Sequence, residues 1–282
     1  MNSLQVCVSL LFMARSESFI VNPTWHRDSS LLFSTQKLPE VQVVSSMPEP
    51  IPMDLNNEYY LLRHGQSTAN VAGVISSARS LAYSTKHGLT DFGYQQGFDA
   101  ADQVLELLKD SAKKKVIFVS SPFARAHQTA QACLDGLATK NVESLDIDTT
   151  IRIQDNLMER FFGRLDDEAI YTYAYVWPVD KFNVTHTAFG VESVAAVATR
   201  LRQVILTLEE ELPPEGSHVI LVSHADVLQI CQLYAAGVDN VGIFSSYRFG
   251  NGEVRKMART PESLPEPSPL QAPDRDTKTR AE

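Results

Sequence analysis

Histidine and arginine side chains recur just beyond three apolar runs of this sequence. They are Arg63 and His64 after YYLL (59–62), Arg125 after VIFVS (116–120), and His224 after HVILVS (218–223). A protein interior accepts cationic groups of this kind only where an anion compensates them. Guanidinium groups bind phosphate oxygens two at a time, so phosphate is the natural candidate for that anion.

A histidine in such a site can also react, because neutral imidazole is a nucleophile near physiological pH. His64 is therefore a candidate acceptor of a phosphoryl group, whose oxygens Arg63, Arg125 and His224 would neutralise. The departing oxygen then needs a proton. Glu159, between apolar neighbours in LMERFFG, could supply it, since partial burial raises a carboxyl pKa toward neutrality.

The elements that position these residues alternate between strands and helices. Strands are predicted at the three apolar runs, and a β-hairpin is predicted over 247–257 around Asn251-Gly252. Helices are predicted over 89–110 with Thr90 as N-cap, 124–137, 193–212, and 226–237, where a glycine ends the last one. This alternation predicts an α/β fold with a mostly parallel sheet covered on both faces. Ligands bind beyond the carboxyl ends of such strands, so the cationic residues should meet in one crevice.

The composition excludes several classes of protein. The chain has 282 residues, a net charge of -9 and 44% hydrophobic residues, which suits a globular protein and argues against a nucleic-acid partner. The longest mostly apolar stretch, 6–14, is too short to span a membrane. The three widely spaced cysteines form no CxxC, and no HExxH occurs, so the sequence predicts neither a zinc site nor an oxidising compartment.

Three zones divide the chain. Residues 57–258 carry the periodic pattern of a folded domain, whereas 259–282 hold five prolines and no aromatic residue, which predicts a disordered tail. Residues 1–56 are interpreted as a disordered extension or, alternatively, an organelle-targeting segment, and translation from Met47 or Met53 is a third alternative. The expected location is the cytoplasm unless 1–56 directs the chain elsewhere.

Several of these segments resemble the ordered motifs of one family. They are LLRHGQSTAN (61–70), GLTDFGYQQG (88–97), SSPFARAHQTA (120–130), ERFFG (159–163), GVES (190–193) and VSHAD (222–226). In this order they resemble the histidine phosphatase superfamily, in its phosphoglycerate mutase-like branch, over about 59 to 250. The resemblance implies a three-layer α/β/α sandwich around the mostly parallel sheet.

The resemblance also implies roles for individual residues. His64 would be phosphorylated and then hydrolysed, with Glu159 as proton donor and Arg63, Arg125 and His224 as the phosphate pocket. Residues that would line the pocket or contact the rest of the substrate are Gln66, Ser67, Asn70 and Arg160. No metal or organic cofactor is implied, and members of the family are often homodimers.

Two positions depart from the family's usual pattern. Ala225 stands where the last motif usually has glycine, which would cost about 1 kcal/mol if the backbone there needs a positive φ. Gln66 stands where many relatives carry glutamate, at a position that does no chemistry.

The function predicted from the sequence is hydrolysis of a phosphomonoester through a phosphohistidine at His64. One alternative is a phosphoglycerate mutase-type phosphoryl transferase. It is disfavoured because the segment after Gly163 has no lysine- or arginine-rich insertion, and Lys181 alone is insufficient for a doubly phosphorylated intermediate. Another is a non-catalytic phosphate-binding or scaffold protein. The substrate would be a phosphorylated small molecule or a phosphoprotein. The aromatic residues Tyr171, Tyr173, Tyr175 and Trp177 would either cover the site or belong to the core.

Overall fold

A single mixed sheet forms the centre of the protein. The computed structural model describes residues 45–111, 114–140 and 145–269. The strands of the sheet are β1 (Glu58–Arg63), β2 (Lys115–Ser120), β3 (Asp146–Ile147), β4 (Arg152–Ile153), β5 (Ser217–Ser223) and β6 (Val254–Lys256). Their order is β3-β2-β5-β1-β6, with β4 also paired to β2. All pairs are parallel except β1 with β6, so the mostly parallel sheet is confirmed.

Helices cover both faces of this sheet. They are α1 (Thr68–Ala72), α2 (Asp91–Leu108), α3 (Ala124–Thr139), α4 (Trp177–Asp180), α5 (Val194–Glu211) and α6 (Ala225–Ala235). Thr90 caps α2 as predicted, because its hydroxyl accepts a hydrogen bond from the backbone N–H of Gly93. Among the helices of the described residues, none is long and apolar enough to cross a membrane.

Alternate residues of the central strands build two separate cores. In β1, Tyr59 and Leu61 pack with the apolar faces of α5 and α6, whereas Tyr60 and Leu62 pack with α2 and α3. Side chains of successive strand residues point to opposite faces, so a strand buried on both sides must be apolar throughout. This explains the continuous apolar runs of β1, β2 and β5 and confirms the three-layer sandwich.

The predicted hairpin over 247–257 is wrong. Only β6 is a strand in this segment, and it pairs antiparallel with β1. The turn at Asn251-Gly252 lies against the end of β1, where the Gly252 N–H donates to the carbonyl of Arg63 at 3.1 Å. Without β6, β1 would be a sheet edge with unpaired backbone groups, so the second half of the segment pairs with β1 and not with a second strand of its own.

The packed domain extends beyond the predicted boundaries of 57 and 258. Ile51 is buried in the core beneath α5 and α6, and Leu264 packs against the same core. The Arg259 guanidinium donates to the carbonyl of Pro52, which joins the two flanking segments. The part of the predicted tail from 259 to about 264 is therefore packed. The rest of the predictions for the chain ends falls largely on 1–44 and 270–282, which lie outside the described residues.

Candidate active site

The carboxyl ends of β1, β2 and β5 bring the predicted site together. The strands β1 and β5 are paired in register to their ends, Arg63 opposite Ser223. The His64 N–H then donates to the carbonyl of Ser223 at 3.0 Å. The imidazole rings of His64 and His224 consequently lie edge to face, with 5.1 Å between their centroids.

The loop that carries His64 is packed against the start of α2. A Cβ atom on Gly65 would lie 2.1 Å from the carbonyl oxygen of Gly93, and one on Gly93 would lie 2.0 Å from that of Gln66. Neither position can hold a larger residue without moving the backbone. The Gly65 N–H also donates to Thr129 Oγ1 of α3 at 3.0 Å. The histidine is thus fixed by two helices as well as its own strand.

One nitrogen of His64 is committed to the backbone. Nδ1 lies 2.7 Å from the carbonyl oxygen of Gly65, and because a carbonyl can only accept, Nδ1 carries the proton. In the neutral ring, Nε2 therefore holds the lone pair. Burial, followed by the charges of Arg125 and Arg63, lowers the pKa of His64 well below its usual range. The ring is thus held in its neutral, nucleophilic form.

Arg125 and Arg63 reach the cavity from different elements. Arg125 lies in the first turn of α3, and its guanidinium donates to the carbonyl of Ser76 at 2.8 Å and to the Ser76 hydroxyl at 3.3 Å. Burial lowers the pKa of Arg125 to about 10, so it remains cationic at neutral pH. Arg63 donates through Nη1 to the carbonyl of Phe249 at 2.6 Å. Its buried Nε has no hydrogen-bond partner among the described residues.

His224 lies behind His64 at the start of α6. Its Nε2 is 2.9 Å from the Ser121 hydroxyl, and its buried Nδ1 has no hydrogen-bond partner in the described part of the chain. Ala225, the residue that departs from the family pattern, is the first residue of α6 and is not among the residues with positive φ. Alanine therefore fits this position without left-handed strain.

Glu159 lines the same cavity as His64, from the irregular segment before α4. Its side chain is 8% exposed, and Oε1 accepts from the backbone N–H of Arg160 at 2.8 Å. Burial, and after it repulsion from Asp226, raises the pKa of Glu159 to about 7, although Arg125 opposes the rise. The carboxyl group therefore holds a proton close to neutral pH.

A buried ion cluster holds the segment that carries Glu159. Glu192 receives hydrogen bonds from Arg200 Nε at 2.8 Å and Arg79 Nη2 at 3.0 Å. Its Oε2 also accepts from the Phe161 N–H at 3.1 Å, and Arg79 Nη1 donates to the carbonyl of Glu159 at 2.9 Å. The GVES motif thus positions the acid loop and does not itself line the cavity.

The structure does not bring Arg160 to the cavity. Its guanidinium is 0% exposed and binds both oxygens of Asp180, at 2.8 and 2.7 Å. Two acidic partners, Asp180 and Asp226, satisfy this buried cation from within the protein. The predicted substrate contact is therefore replaced by a structural ion pair. The adjacency of Glu159 and Arg160 in the sequence could not distinguish these roles.

Of the three polar residues predicted to line the pocket after His64, two line the cavity and one does not. Ser67 and Asn70 both line the cavity, but they also form the capping box of α1. Asn70 Oδ1 accepts from Ser67 N and Oγ, both at 3.0 Å, so its amide nitrogen is the group left to donate to a ligand. Gln66 does not line the cavity, because its Oε1 accepts from the Thr90 hydroxyl at 2.9 Å.

The cavity has a volume of about 260 Å³ and contains residues that the sequence analysis did not assign. Tyr173 and Trp177 stack with ring centroids 4.6 Å apart and form an aromatic wall, whereas Tyr171 and Tyr175 are exposed. Asp226 adds a second carboxylate. Its proximity to His224 in VSHAD was the only available signal. Of the four aromatic residues predicted to cover the site or belong to the core, Tyr173 and Trp177 therefore line the cavity. Lining residues without a predicted role are Ala69, Val74, Ser76, Ile170, Asp226, Gln229 and Arg248.

The cavity brings Arg63, His64 and Arg125 together with Glu159. Within 45–111, 114–140 and 145–269, no group of histidine, cysteine, aspartate or glutamate side chains is arranged to hold a metal ion. Fold and site together define a three-layer α/β/α protein with a histidine–arginine pocket at the carboxyl edge of its sheet.

The family follows from sequence comparison. The model of the histidine phosphatase superfamily (branch 1) matches residues 59–264, and the chain belongs to this superfamily. None of the curated proteins compared with it matches.

Solved structures share the fold at low sequence identity. A mycobacterial glucosyl-3-phosphoglycerate phosphatase, in complex with VO3, aligns with a TM-score of 0.53 and 21% identity, covering 70% of this chain and 90% of its own. The alpha-ribazole phosphatase from Shigella flexneri aligns with a TM-score of 0.50 and 23% identity, covering 70% and 88%. A protein described as mycobacterial hydrolase 2 aligns with a TM-score of 0.55 and 20% identity, covering 70% and 80%.

Proposed function

We propose that the protein is a phosphatase that hydrolyses a phosphomonoester of a small molecule through a phosphohistidine at His64. In the first step, Nε2 of His64 attacks phosphorus, the bond between phosphorus and the ester oxygen breaks, and Glu159 gives its proton to that oxygen. In the second step, water attacks the phosphohistidine and gives a proton to the Glu159 carboxylate. The nitrogen–phosphorus bond then breaks, and inorganic phosphate leaves.

The unpartnered donors of the pocket carry this proposal. Arg63 Nε is buried without a hydrogen-bond partner among the described residues, and Arg63 and Arg125 line the same cavity. His224 does not line the cavity, but its ring packs edge to face against that of His64, and its buried Nδ1 also has no partner among the described residues. Buried polar groups are normally paired, so an unpaired guanidinium nitrogen of an arginine that lines the cavity favours a ligand that accepts hydrogen bonds there. A phosphoryl group supplies several acceptor oxygens and the negative charge that the arginines need.

The orientation of His64 supports its role as nucleophile. The hydrogen bond from Nδ1 to the Gly65 carbonyl leaves Nε2 for phosphorus and stabilises the positive charge that the ring acquires on phosphorylation. A lowered pKa keeps the ring neutral before the attack. A histidine that acts as a nucleophile needs a neutral ring whose reactive nitrogen faces the substrate. The hydrogen bond to Gly65 and the lowered pKa provide both, and the neighbouring arginines would bind the phosphoryl group.

The protonation states fit this order of steps. Glu159, with its pKa near 7, must be protonated, and His64, with its pKa well below its usual range, must be neutral. Activity should therefore fall on the alkaline side as Glu159 loses its proton near pH 7. On the acid side it should fall only well below pH 6.5, where His64 becomes charged.

Phosphate release from phenyl phosphate by the full chain tests the proposal. We expect His64→Ala to lower kcat by about 10³-fold or more, because the nucleophile is lost. His127→Ala, which removes an exposed histidine on α3, is the matched control and should retain full activity. Rapid quenching should also trap phosphate on the parent protein in an acid-labile form, and none on His64→Ala.

The role of Glu159 is tested through the leaving group. Glu159→Gln should slow phenyl phosphate hydrolysis by about 10²-fold or more but affect p-nitrophenyl phosphate less, because p-nitrophenolate leaves without needing a proton. Equal loss on both substrates would contradict the acid role. Equal activity of His64→Ala and the parent would overturn the proposal. Transfer of labelled phosphate to a second hydroxyl group, and not to water, would indicate the mutase alternative.

A further inference from the structure

Asp226 is a second buried carboxylate in the cavity that the proposed reaction does not use. The residue is 3% exposed and lines the same cavity as His64 and Glu159. Oδ2 accepts from the Trp177 indole N–H at 3.2 Å and lies 3.5 Å from Nη1 of Arg160. A carboxylate this close to a phosphate pocket repels the substrate, so its presence needs a reason beyond packing.

We propose that Asp226 is a positioning residue for the acid step: its carboxylate stays ionised beside Arg160 and Trp177, and its repulsion keeps the transferable proton on Glu159. This inference rests on the proposed function, because it assigns a task to Glu159 as proton donor.

The charges around Glu159 show why such a residue is needed. Four arginines act on it: Arg63 from β1, Arg79 from the turn before α2, Arg125 from α3 and Arg200 from α5. Each favours the ionised form, which cannot donate a proton. Asp226 on α6 and the phenol of Tyr173 also face it, and the neutral ring of His64 lines the same cavity. Asp226 thus supplies the negative charge that offsets the arginines.

The surroundings of the two carboxyl groups decide which of them holds the proton. Asp226 receives hydrogen bonds from Trp177 and Gln229 and lies beside the Arg160 guanidinium, all of which favour its ionised form, while Asp180 opposes it. By contrast, the hydrogen bond that Glu159 accepts comes from the backbone N–H of Arg160. Burial, followed by Asp226, raises the pKa of Glu159 to about 7, and burial raises that of Asp226 to about 6. The Trp177 N–H and the Arg160 guanidinium beside Asp226 therefore favour the ionised form of Asp226 and leave the shared proton to Glu159.

Asp226→Asn tests this inference through the pH profile of kcat/KM for phenyl phosphate. Asparagine keeps an oxygen for the Trp177 N–H and removes the charge. We expect the midpoint of the alkaline decline to move about one unit lower, with about tenfold loss at pH 8 and only about twofold loss at pH 6. The ionisation of the substrate affects all variants equally, so the difference between profiles belongs to the protein.

Two controls separate the charge effect from a structural one. Asp155→Asn removes a carboxylate that also accepts from an aromatic side chain, the Tyr83 hydroxyl at 2.6 Å, but lies outside the cavity, and it should leave the profile unchanged. In a Glu159→Gln background, Asp226→Asn should cause no further shift. Asp226→Glu should restore a midpoint close to that of the parent.

The outcomes distinguish this inference from the function on which it rests. Undiminished activity of His64→Ala would overturn both. Strong loss in His64→Ala and Glu159→Gln, with an unmoved alkaline midpoint in Asp226→Asn, would overturn only the role of Asp226. If Asp226→Asn does not fold, as judged by circular dichroism, Trp177→Phe decides. Loss of the indole donor makes the ionised form of Asp226 less favourable, so the midpoint of the alkaline decline should move to lower pH by a smaller amount than in Asp226→Asn. An unmoved midpoint would overturn the inference.

Discussion

Replacing Glu159 by glutamine should make the protein more stable at alkaline pH while it impairs the proposed chemistry. The carboxyl group is 8% exposed, and its pKa rises from 4.5 to about 7 in the folded protein, with burial as the largest cause and Asp226 as the second. The folded state therefore binds this proton more tightly than the unfolded chain does. At high pH, folding must hold a buried negative charge that glutamine does not carry.

The size of the effect follows from the difference in pKa. One pKa unit corresponds to about 1.4 kcal/mol, so full ionisation of Glu159 costs about 3 kcal/mol of folding free energy. Below the unfolded pKa of 4.5 the group is protonated in both states, and the cost is absent. Between 4.5 and about 7 the cost grows as the pH rises, and above about 7 it is complete. The advantage of Glu159→Gln should follow the same course.

Urea unfolding of parent and variant, at intervals from pH 4.5 to pH 8.5, measures this difference. Glu211→Gln, which neutralises an exposed carboxylate at the end of α5, is the control and should remain within about 0.5 kcal/mol of the parent throughout. A constant difference between Glu159→Gln and the parent across this range would refute the reasoning, as would a variant less stable than the parent at pH 8.5. Either result would mean that Glu159 is ionised at little cost, and its role as proton donor would lose its physical basis.

Three further substitutions test other parts of the site. Arg125→Lys should lower kcat by about 10²-fold or more in the phosphate-release assay, because ammonium cannot bind two phosphate oxygens in the plane of a guanidinium. Arg160→Met should lower the free energy of unfolding, measured in urea, by about 3–5 kcal/mol, because it leaves Asp180 buried without its bidentate partner. A rise in KM without loss of stability would instead support the predicted contact between Arg160 and the substrate. Ala225→Gly should lower the free energy of unfolding by no more than about 1 kcal/mol and leave kcat unchanged, since Ala225 begins α6 without a positive φ.

The parts of the site that follow from local patterns were predictable from the sequence. An apolar run that ends in a charged residue identifies both a buried strand and its carboxyl end. A parallel sheet then places His64 and His224 on neighbouring strands at one edge. The cap of α2 at Thr90 was equally predictable, because the capping hydroxyl and the first turn of the helix are adjacent in the chain.

The parts that depend on distant partners were not predictable. Arg160 is adjacent to Glu159, yet its position is determined by Asp180, which is 20 residues away in the sequence. Likewise, β6 pairs with β1, a strand that lies near the other end of the domain in the sequence. This long-range pairing outweighed the local hairpin signal at Asn251-Gly252. A pattern within one segment contains no information about whether a cation will meet an internal carboxylate or a ligand. Only the tertiary arrangement decides this.

The different structural settings of the cations and the acid have a consequence for the reaction. Arg63, Arg125 and His224 lie at ends of regular elements, whereas Glu159 lies in an irregular segment fixed by the Glu192 ion cluster. Phosphate binding needs fixed charges, which strand ends and helix starts supply, and proton transfer needs a carboxyl group whose pKa can respond to its neighbours. Because the acid loop is held by Arg79 and Arg200 through Glu192, its geometry can be retained while the charge beside it changes. Substitution of Asp226 can therefore alter the acidity of Glu159 without displacing it, which is why the pH profile, more than the rate at one pH, reports on this site.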